Sequence, residues 1–360
     1  MNDNSIDPVI RQFVRDQTTV QVDKYSDVGG VGAVYFGERI IFKDRVAMKF
    51  YPVDPFGLAH SEPYLLKNLE HDNILKIHHA EIISNQFAYY LTPEISGGDL
   101  QEYLEKNVIS TDNAFKIITG VLNGLAELHN RRLVHRDLKT FNILIDAITN
   151  NPVIADFGFV RQIPGDLTST TASSHTHLYR SKEMIEKNEH TFQSDIYQIG
   201  VIVYQILGGC FPFEPLDWLD QSLQSKFSAL KTVEEQIDFW KGTIDRKVSK
   251  NKLLDYNSLP PYVDAGLKKI IAKAVHPDLS KRYKTCVEFK AAIFHFRKNY
   301  KNWWIDGTSI HAENKKGDKR YIIENYQSRA GFRISINNST YKNRNVGNTL
   351  NEMINYINQS

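Results

Sequence analysis

Two short runs in the middle of the chain hold the residues best able to do chemistry. His135-Arg136-Asp137-Leu138-Lys139-Thr140-Phe141-Asn142 comes first, and Asp156-Phe157-Gly158 follows. A carboxylate such as Asp137 can accept a hydroxyl proton. Asn142 and Asp156 offer hard oxygen ligands of the kind Mg²⁺ takes. A Mg²⁺ held there would neutralise charge on the β- and γ-phosphates of a nucleotide while Asp137 orients an attacking hydroxyl. Upstream, Asp27-Val28-Gly29-Gly30-Val31-Gly32-Ala33-Val34-Tyr35 reads as the glycine-rich tip of a hairpin. Backbone N–H groups at such a tip can approach phosphate oxygens without Cβ clashes. Taken alone, a glycine turn with no ligand is an equal reading. No Gly-Lys-Ser/Thr follows, so this is not a Walker loop. Lys49, in Val46-Ala47-Met48-Lys49, lies mid-strand among apolar residues and must snorkel or meet an anion. A lone lysine ordinarily faces solvent; its place one hairpin after the glycine turn favours a phosphate contact.

These residues need elements to hold them. Residues 7–16 read as a short helix opened by Asp7 and Pro8. From Lys24 to Tyr51 the pattern is β: AVYFGE, RIIFKD and RVAMKFY form a predicted meander. A helix is expected at 61–70 and strands near 75–82 and 87–92. Pro93 to Gly98 reads as a connector. Beyond it the chain is mostly helical, at 99–106, 111–130, 191–208 and 262–275, with β-like pieces at 133–145 and 153–156. A β-rich part joined to an α-rich part predicts two lobes with a cleft between them.

Composition narrows the class. The chain has 360 residues, 41% hydrophobic and 24% charged, with a formal net charge of +2. That describes a globular protein and excludes a mainly disordered or low-complexity one. The most apolar stretch, Ile199 to Leu207, is short of the roughly 18 residues of a membrane span. No signal-peptide pattern opens the chain. Two cysteines, Cys210 and Cys286, exclude a disulfide scaffold and the usual cysteine zinc sites, and a cytoplasmic location is expected. The small net charge gives no footprint for nucleic acid.

In sum the motifs, in this order, resemble those of the eukaryotic-type serine/threonine protein kinases over residues 20–298. The resemblance implies an α+β, two-lobed fold with a β-rich N-lobe at 20–93, a hinge at 93–98 and an α-rich C-lobe at 99–298. It implies transfer of the γ-phosphate of ATP, with Mg²⁺, to Ser/Thr hydroxyls of protein substrates, including the chain's own activation segment. Position by position, Asp137 matches the catalytic base and Lys139 its serine/threonine-type companion. Lys49 matches the lysine that holds the α- and β-phosphates, with Glu62 as its helix partner. Gly29, Gly30 and Gly32 match the phosphate loop, whose first glycine is replaced by Asp27. Val34, Ala47 and Leu144 would enclose the adenine, with Thr92 at the gatekeeper position and Pro93 and Ile95 presenting hinge backbone. Asp99 matches the ribose-binding acid, and Asn142 and Asp156 the metal ligands. Asp195 would prop the catalytic loop, Arg282 would pair with Glu183, and Leu66, Ile77, His135 and Phe157 would stack across the lobes. A pseudokinase and a small-molecule phosphotransferase of the same fold are the rival readings. Retention of Lys49, Asp137 and Asp156 weighs against the first, and Lys139 with the Glu183–Arg282 pair against the second.

Some features depart from the pattern or add to it. Pro63 directly after Glu62 predicts a helix that begins near Ser61 and is short or kinked. Arg136 beside the catalytic acid points to a phosphate on the segment offering Thr168, Ser169, Thr170, Thr171, Ser173 and Ser174. His175 and His177 flank Thr176, with a metal site as the minor reading. Residues 1–19 are read as an extension. Residues 299–360, beyond the resemblance, carry nine Lys/Arg from residue 300 against five Asp/Glu. They are expected to form three strands and a helix, a βββα-like module. It either braces the helical lobe through Trp303-Trp304 or docks an acidic partner.

Overall fold

The computed structural model describes residues 5–26, 33–53, 61–66, 69–173, 176–325, 331–337, 339–340 and 349–360. The first lobe is a five-stranded antiparallel sheet built from β1 (Val20–Ser26), β2 (Val34–Arg39), β3 (Arg45–Pro52), β4 (His79–Ile82) and β5 (Phe87–Pro93), in the order β1-β2-β3-β5-β4. Helix α1 (Pro8–Asp16) precedes it and α2 (Ser61–Leu66) lies between β3 and β4. Asp7 caps α1 by accepting the Val9 N–H at 2.8 Å, and Pro8 supplies a first-turn φ that suits a helix.

Strand alternation divides the sheet into two faces. Tyr35, Met48, Phe50, Tyr89 and Leu91 join Ile6, Ile10, Phe13 and Val14 in one apolar cluster. Helix α1 is therefore part of this lobe's core, not an appendage. The other face carries Val34, Ala47, Lys49, Tyr90 and Thr92, with Val34 opposite Lys49 and Ala47 opposite Thr92.

The segment Arg39–Asp44, expected as a strand, is the β2–β3 turn. Ile41 is 86% exposed there, Lys43 has φ 57°, and an Arg39–Asp44 ion pair closes the loop. Its apolar run has no alternation, and no strand among the described residues pairs with it. The missing third strand is β1, ahead of the glycine-rich segment.

The second lobe is helical. Helices α3 (Leu100–Lys106) and α4 (Thr111–Asn130) lead into the short strands β6 (Leu133–Val134), β7 (Ile143–Ile145), β8 (Pro152–Ile154) and β9 (Arg161–Gln162). Then come β10 (Thr170–Thr171), α5 (Lys182–Glu186), β11 (Glu189–His190) and α6 (Phe192–Ile206). Most of α6 is buried, which explains the apolar run at 199–207. Helices α7 (Gln221–Ser228), α8 (Val233–Ser249), α9 (Ala265–Ala274) and α10 (Cys286–Arg297) complete it. The sequence reading lacked α5, α7, α8 and α10, although the reciprocal Thr232–Glu235 capping box that opens α8 was legible.

The C-terminal segment has five strands rather than three: β12 (Asn302–Asp306), β13 (Ser309–Glu313), β14 (Arg320–Asn325), β15 (Phe332–Ile336) and β16 (Ser339–Thr340), paired in sequence order. Ser309–Glu313 was overlooked because it holds only one large apolar residue, Ile310. Helix α11 (Leu350–Gln359) buries Met353, Ile354 and Ile357, three of the four residues expected on its apolar face. Trp303 is fully buried and stacks on Tyr262 at 5.6 Å. Its backbone N–H donates to Thr111 Oγ1 at 2.9 Å, and the Thr111 hydroxyl donates to the Lys301 carbonyl at 3.1 Å. Trp304 points the other way and stacks on His311 at 5.1 Å. So Trp303 alone of the pair is the anchor, and the module's buried residues belong to the same core as the helical lobe.

Candidate active site

The site is built on α6. Asp195, fully buried, accepts four N–H groups: the backbone of His135 at 3.0 Å and of Arg136 at 3.1 Å, and the rings of His129 at 2.9 Å and His190 at 2.8 Å. Burial alone would raise its carboxyl, but His190 and His129 outweigh that and hold it far below the ordinary carboxylate value. One turn along the same helix, Gln198 Oε1 accepts the Leu138 N–H at 3.1 Å. The loop 135–138 is thus fastened at three backbone positions. The fastening matters because Arg136 has φ 72°, a conformation that costs a non-glycine residue on the order of 1–3 kcal/mol unless its surroundings enforce it.

The loop presents Asp137, which is 2% exposed. Its Oδ1 accepts the Thr176 hydroxyl at 2.7 Å; its Oδ2 accepts Lys139 Nζ at 2.9 Å and Asn142 Nδ2 at 3.1 Å. Lys139 Nζ also donates to Thr176 Oγ1 at 3.1 Å. A hydroxyl therefore already sits at proton-accepting distance from Asp137, with an ammonium beside it. Asn142 also donates to the Asp137 carbonyl at 2.7 Å, which spends its nitrogen and leaves its carbonyl oxygen as the end available to a cation.

Asp156, at φ 59°, follows β8 and meets Lys49 from the sheet lobe at 2.8 Å. Burial pushes its carboxyl up, yet the charge and hydrogen bond of Lys49 prevail and keep it below the ordinary range. Asp156 is thus an ionised hard-oxygen donor near Asn142, a donor set that suits Mg²⁺. Lys49 bridges the lobes on the sheet face that also holds Val34, Ala47 and Thr92. Pro93 ends β5 opposite Val46, and Ile95 packs on the helical core. Asp99 caps α3 through the Glu102 N–H at 2.9 Å and bridges to Leu144, the third expected adenine neighbour. Burial raises the Asp99 carboxyl above its usual value.

Gly29, Gly30 and Gly32, with Asp27, lie outside the described residues, as do the side chain of Glu62 and residues Ser174 and His175. Helix α2 is described over Ser61–Leu66 and includes Pro63; its expected start and shortening fall on residues 54–60 and 67–68, which lie outside the described residues. The His135 and Phe157 rings lie 5.2 Å apart, with Leu66 and Phe157 in one core and Ile77 packed against it. Arg282 grips Glu183 with two bonds, 2.8 and 3.1 Å, both partners buried. His177 meets Asp245 of α8 at 2.9 Å and packs on Trp240; burial lowers its ring below the ordinary histidine value. Among the described residues no group of three His, Cys, Asp or Glu side chains is placed to hold a metal.

The described part of the segment, 168–173, is not a free loop: Thr170 pairs with His190 and Thr171 with Glu189, while Ser173 is buried. Arg136 donates to the Phe159 carbonyl at 3.1 Å, and burial together with Arg161 lowers its guanidinium. Sequence reasoning missed His129, His190, Gln198 and Asp245. His129, Gln198 and Asp245 each act through a partner more than 55 residues away, and His190 through Asp195 five residues on; no local pattern marks such a partner.

Comparison with known proteins agrees with this geometry. The protein kinase domain family matches residues 27–294. The chain is 29% identical over 264 residues to a probable serine/threonine-protein kinase PknB of Lactococcus lactis, covering 71% of this chain and 38% of that protein. It is 27% identical over 282 residues to serine/threonine-protein kinase PrkC of Bacillus subtilis, covering 74% of this chain and 38% of that protein. Human serine/threonine-protein kinase ULK1 is 31% identical over 200 residues, 51% of this chain and 19% of that protein. The chain thus spans well under two thirds of these relatives. No described helix is long and apolar enough to cross a membrane. A match over most of the chain, together with an α+β two-lobed fold and this web of contacts, places the chain in the protein kinase family.

Proposed function

We propose that the chain transfers the γ-phosphate of MgATP to serine or threonine hydroxyls of proteins in the cytoplasm, its own activation segment included. The observation that carries this reading is the Thr176 hydroxyl at 2.7 Å from Asp137 with Lys139 beside both. A substrate hydroxyl taking that place would pass its proton to Asp137 as its oxygen bonds the γ-phosphorus, and ADP would leave. Lys139 would offset charge on the transferring group, and Lys49 would hold the α- and β-phosphates. Asn142 and Asp156 would hold the Mg²⁺, which supplies charge neutralisation on the phosphates. Val34, Ala47 and Leu144 would enclose the adenine at Thr92, Pro93 and Ile95, Asp99 would face the ribose, and Gly29, Gly30 and Gly32 would cover the phosphates.

Glu62 is proposed as the helix partner of Lys49. Phosphorylation within 168–174, with Thr168 and Thr171 the exposed candidates among the described residues, would place an anion near Arg136 and Arg161. The kinase domain is read as 20–298. The flanking segments act as parts of it, because each shares a core with one lobe. Residues 299–360 are read as a brace for the helical lobe.

The test is phosphate transfer from labelled ATP to generic protein substrates. Asp137→Ala should lower the rate on the order of 10²–10⁴-fold without a change in melting behaviour. Near-wild-type turnover in that variant would defeat the assignment.

A further inference from the structure

One residue of the catalytic loop has no part in the chemistry above. Phe141 stands between Lys139 and Asn142 in a single helical turn, and 45% of it is exposed. Asn142, its immediate neighbour, lies 3.1 Å from the Asp137 carboxylate. A large aromatic beside the reacting groups, left open to water, differs from an apolar residue scattered singly on a surface.

Phe141 is not isolated. Its ring meets that of Phe213 edge to face at 5.4 Å, and Phe213 is itself 40% exposed. Phe213 belongs to the loop after α6 and rests on Phe211 at 6.3 Å. Phe211 is buried against Tyr179 at 5.3 Å and Trp218 at 5.2 Å. Polar bonds fix this floor: Tyr179 OH donates to Gln205 Oε1 at 2.8 Å, Thr140 Oγ1 to Gln101 Oε1 at 2.9 Å, and Trp218 Nε1 to the Pro212 carbonyl at 2.9 Å. The two exposed rings therefore form a rigid platform, which binds without a large ordering cost.

The loop that carries Phe213 is acidic. Residues 208–225 contain Glu214, Asp217 and Asp220 and no Lys or Arg, and Glu214 directly follows Phe213. Glu105 of α3, the helix whose Gln101 holds Thr140, is also exposed.

We propose that Phe141 and Phe213 are specificity residues. They receive a bulky apolar side chain of the substrate protein within a few positions of the phosphorylated hydroxyl, and the acidic rim favours Lys or Arg beside that anchor. An extended peptide advances about 3.3 Å per residue, so a chain whose hydroxyl lies at Asp137 can reach a platform one residue from Asn142. The proposal rests on the kinase reading above and names its substrate class.

The test is an arrayed library of Ser/Thr peptides with one position fixed at a time, run with the full chain and labelled ATP. Wild type should select Phe, Leu, Ile, Met or Trp over Ala and Asp at one position, at least about 10-fold in kcat/KM, the worth of burying one such side chain. A Lys or Arg near that position should add to it. Phe141→Ser and Phe213→Ser should each bring the ratio to within about 2-fold. The ratio is internal to each protein, so a smaller folded fraction does not mimic the effect. Wild type that phosphorylates the library without apolar selection overturns the proposal, as does selection that survives both substitutions. Transfer to whole proteins but to no peptide overturns the platform alone. Transfer to neither overturns the kinase reading and the platform with it.

Discussion

The two sides of the cleft are held by different physics. On the helical side, polar groups are buried and mutually satisfied: Asp195 takes four N–H groups, and Arg282 takes both oxygens of Glu183. The C-terminal module extends the same core through Trp303. On the sheet side the core is a smaller apolar cluster closed by α1, and its chemistry reaches the site through Lys49 meeting Asp156 across the lobes. The helical side is thus set before any ligand arrives. The sheet side contributes only while the lobes are closed on each other. Stability and catalysis should therefore separate between the sides.

The largest effect should come from the helical side. Arg282→Met leaves Glu183 buried without its partner and should cost about 3–5 kcal/mol in urea unfolding. Replacing both partners by apolar residues of similar size should recover much of that. A single variant as stable as wild type would mean that the pair does not hold the lobe. Lys49→Met should instead lower phosphate transfer on the order of 10²–10³-fold while the melting temperature barely moves. A large loss of stability would erase the contrast between the sides.

Removal of residues 300–360 should lower the melting temperature by roughly 5–10 °C or leave the protein insoluble, because the surface that covers Trp303 is left bare. An unchanged melt would reduce the module to an accessory. The smallest effect concerns acid. The folded carboxyls of Asp195 and Glu183 titrate below their unfolded values, which lie near 3.9 and 4.3. Below those values the unfolded chain binds more protons than the folded one. Their contribution, present in full at neutral pH, should therefore fade as pH drops below about 4.5, by roughly 2 kcal/mol. Unfolding curves that coincide at pH 6 and pH 3.5 would contradict it.

The motif residues were legible because their roles depend on residue type and spacing. Asp137, Lys139 and Asn142 lie within six residues, so local backbone geometry brings them together wherever the loop is placed. Helices with caps and apolar periodicity, such as α4 and α11, were legible for the same local reason. The Arg39–Asp44 segment misled because apolar composition states a preference for burial and not whether a partner surface exists. Five strands read as three because a strand like Ser309–Glu313 is stabilised by its neighbours more than by its own residues.

From the sequence alone came the family's chemistry, the order of the lobes and the Glu183–Arg282 pairing. Tertiary structure alone decided that α1 completes the sheet core, that His129 and His190 share Asp195, and that Trp303 rather than Trp304 anchors the module. It alone brought Phe141 against Phe213, 72 positions apart. The physical reason is one of range. Catalytic motifs are local and carry their chemistry in side-chain type, whereas burial and pairing between distant segments depend on which surfaces the whole chain brings face to face.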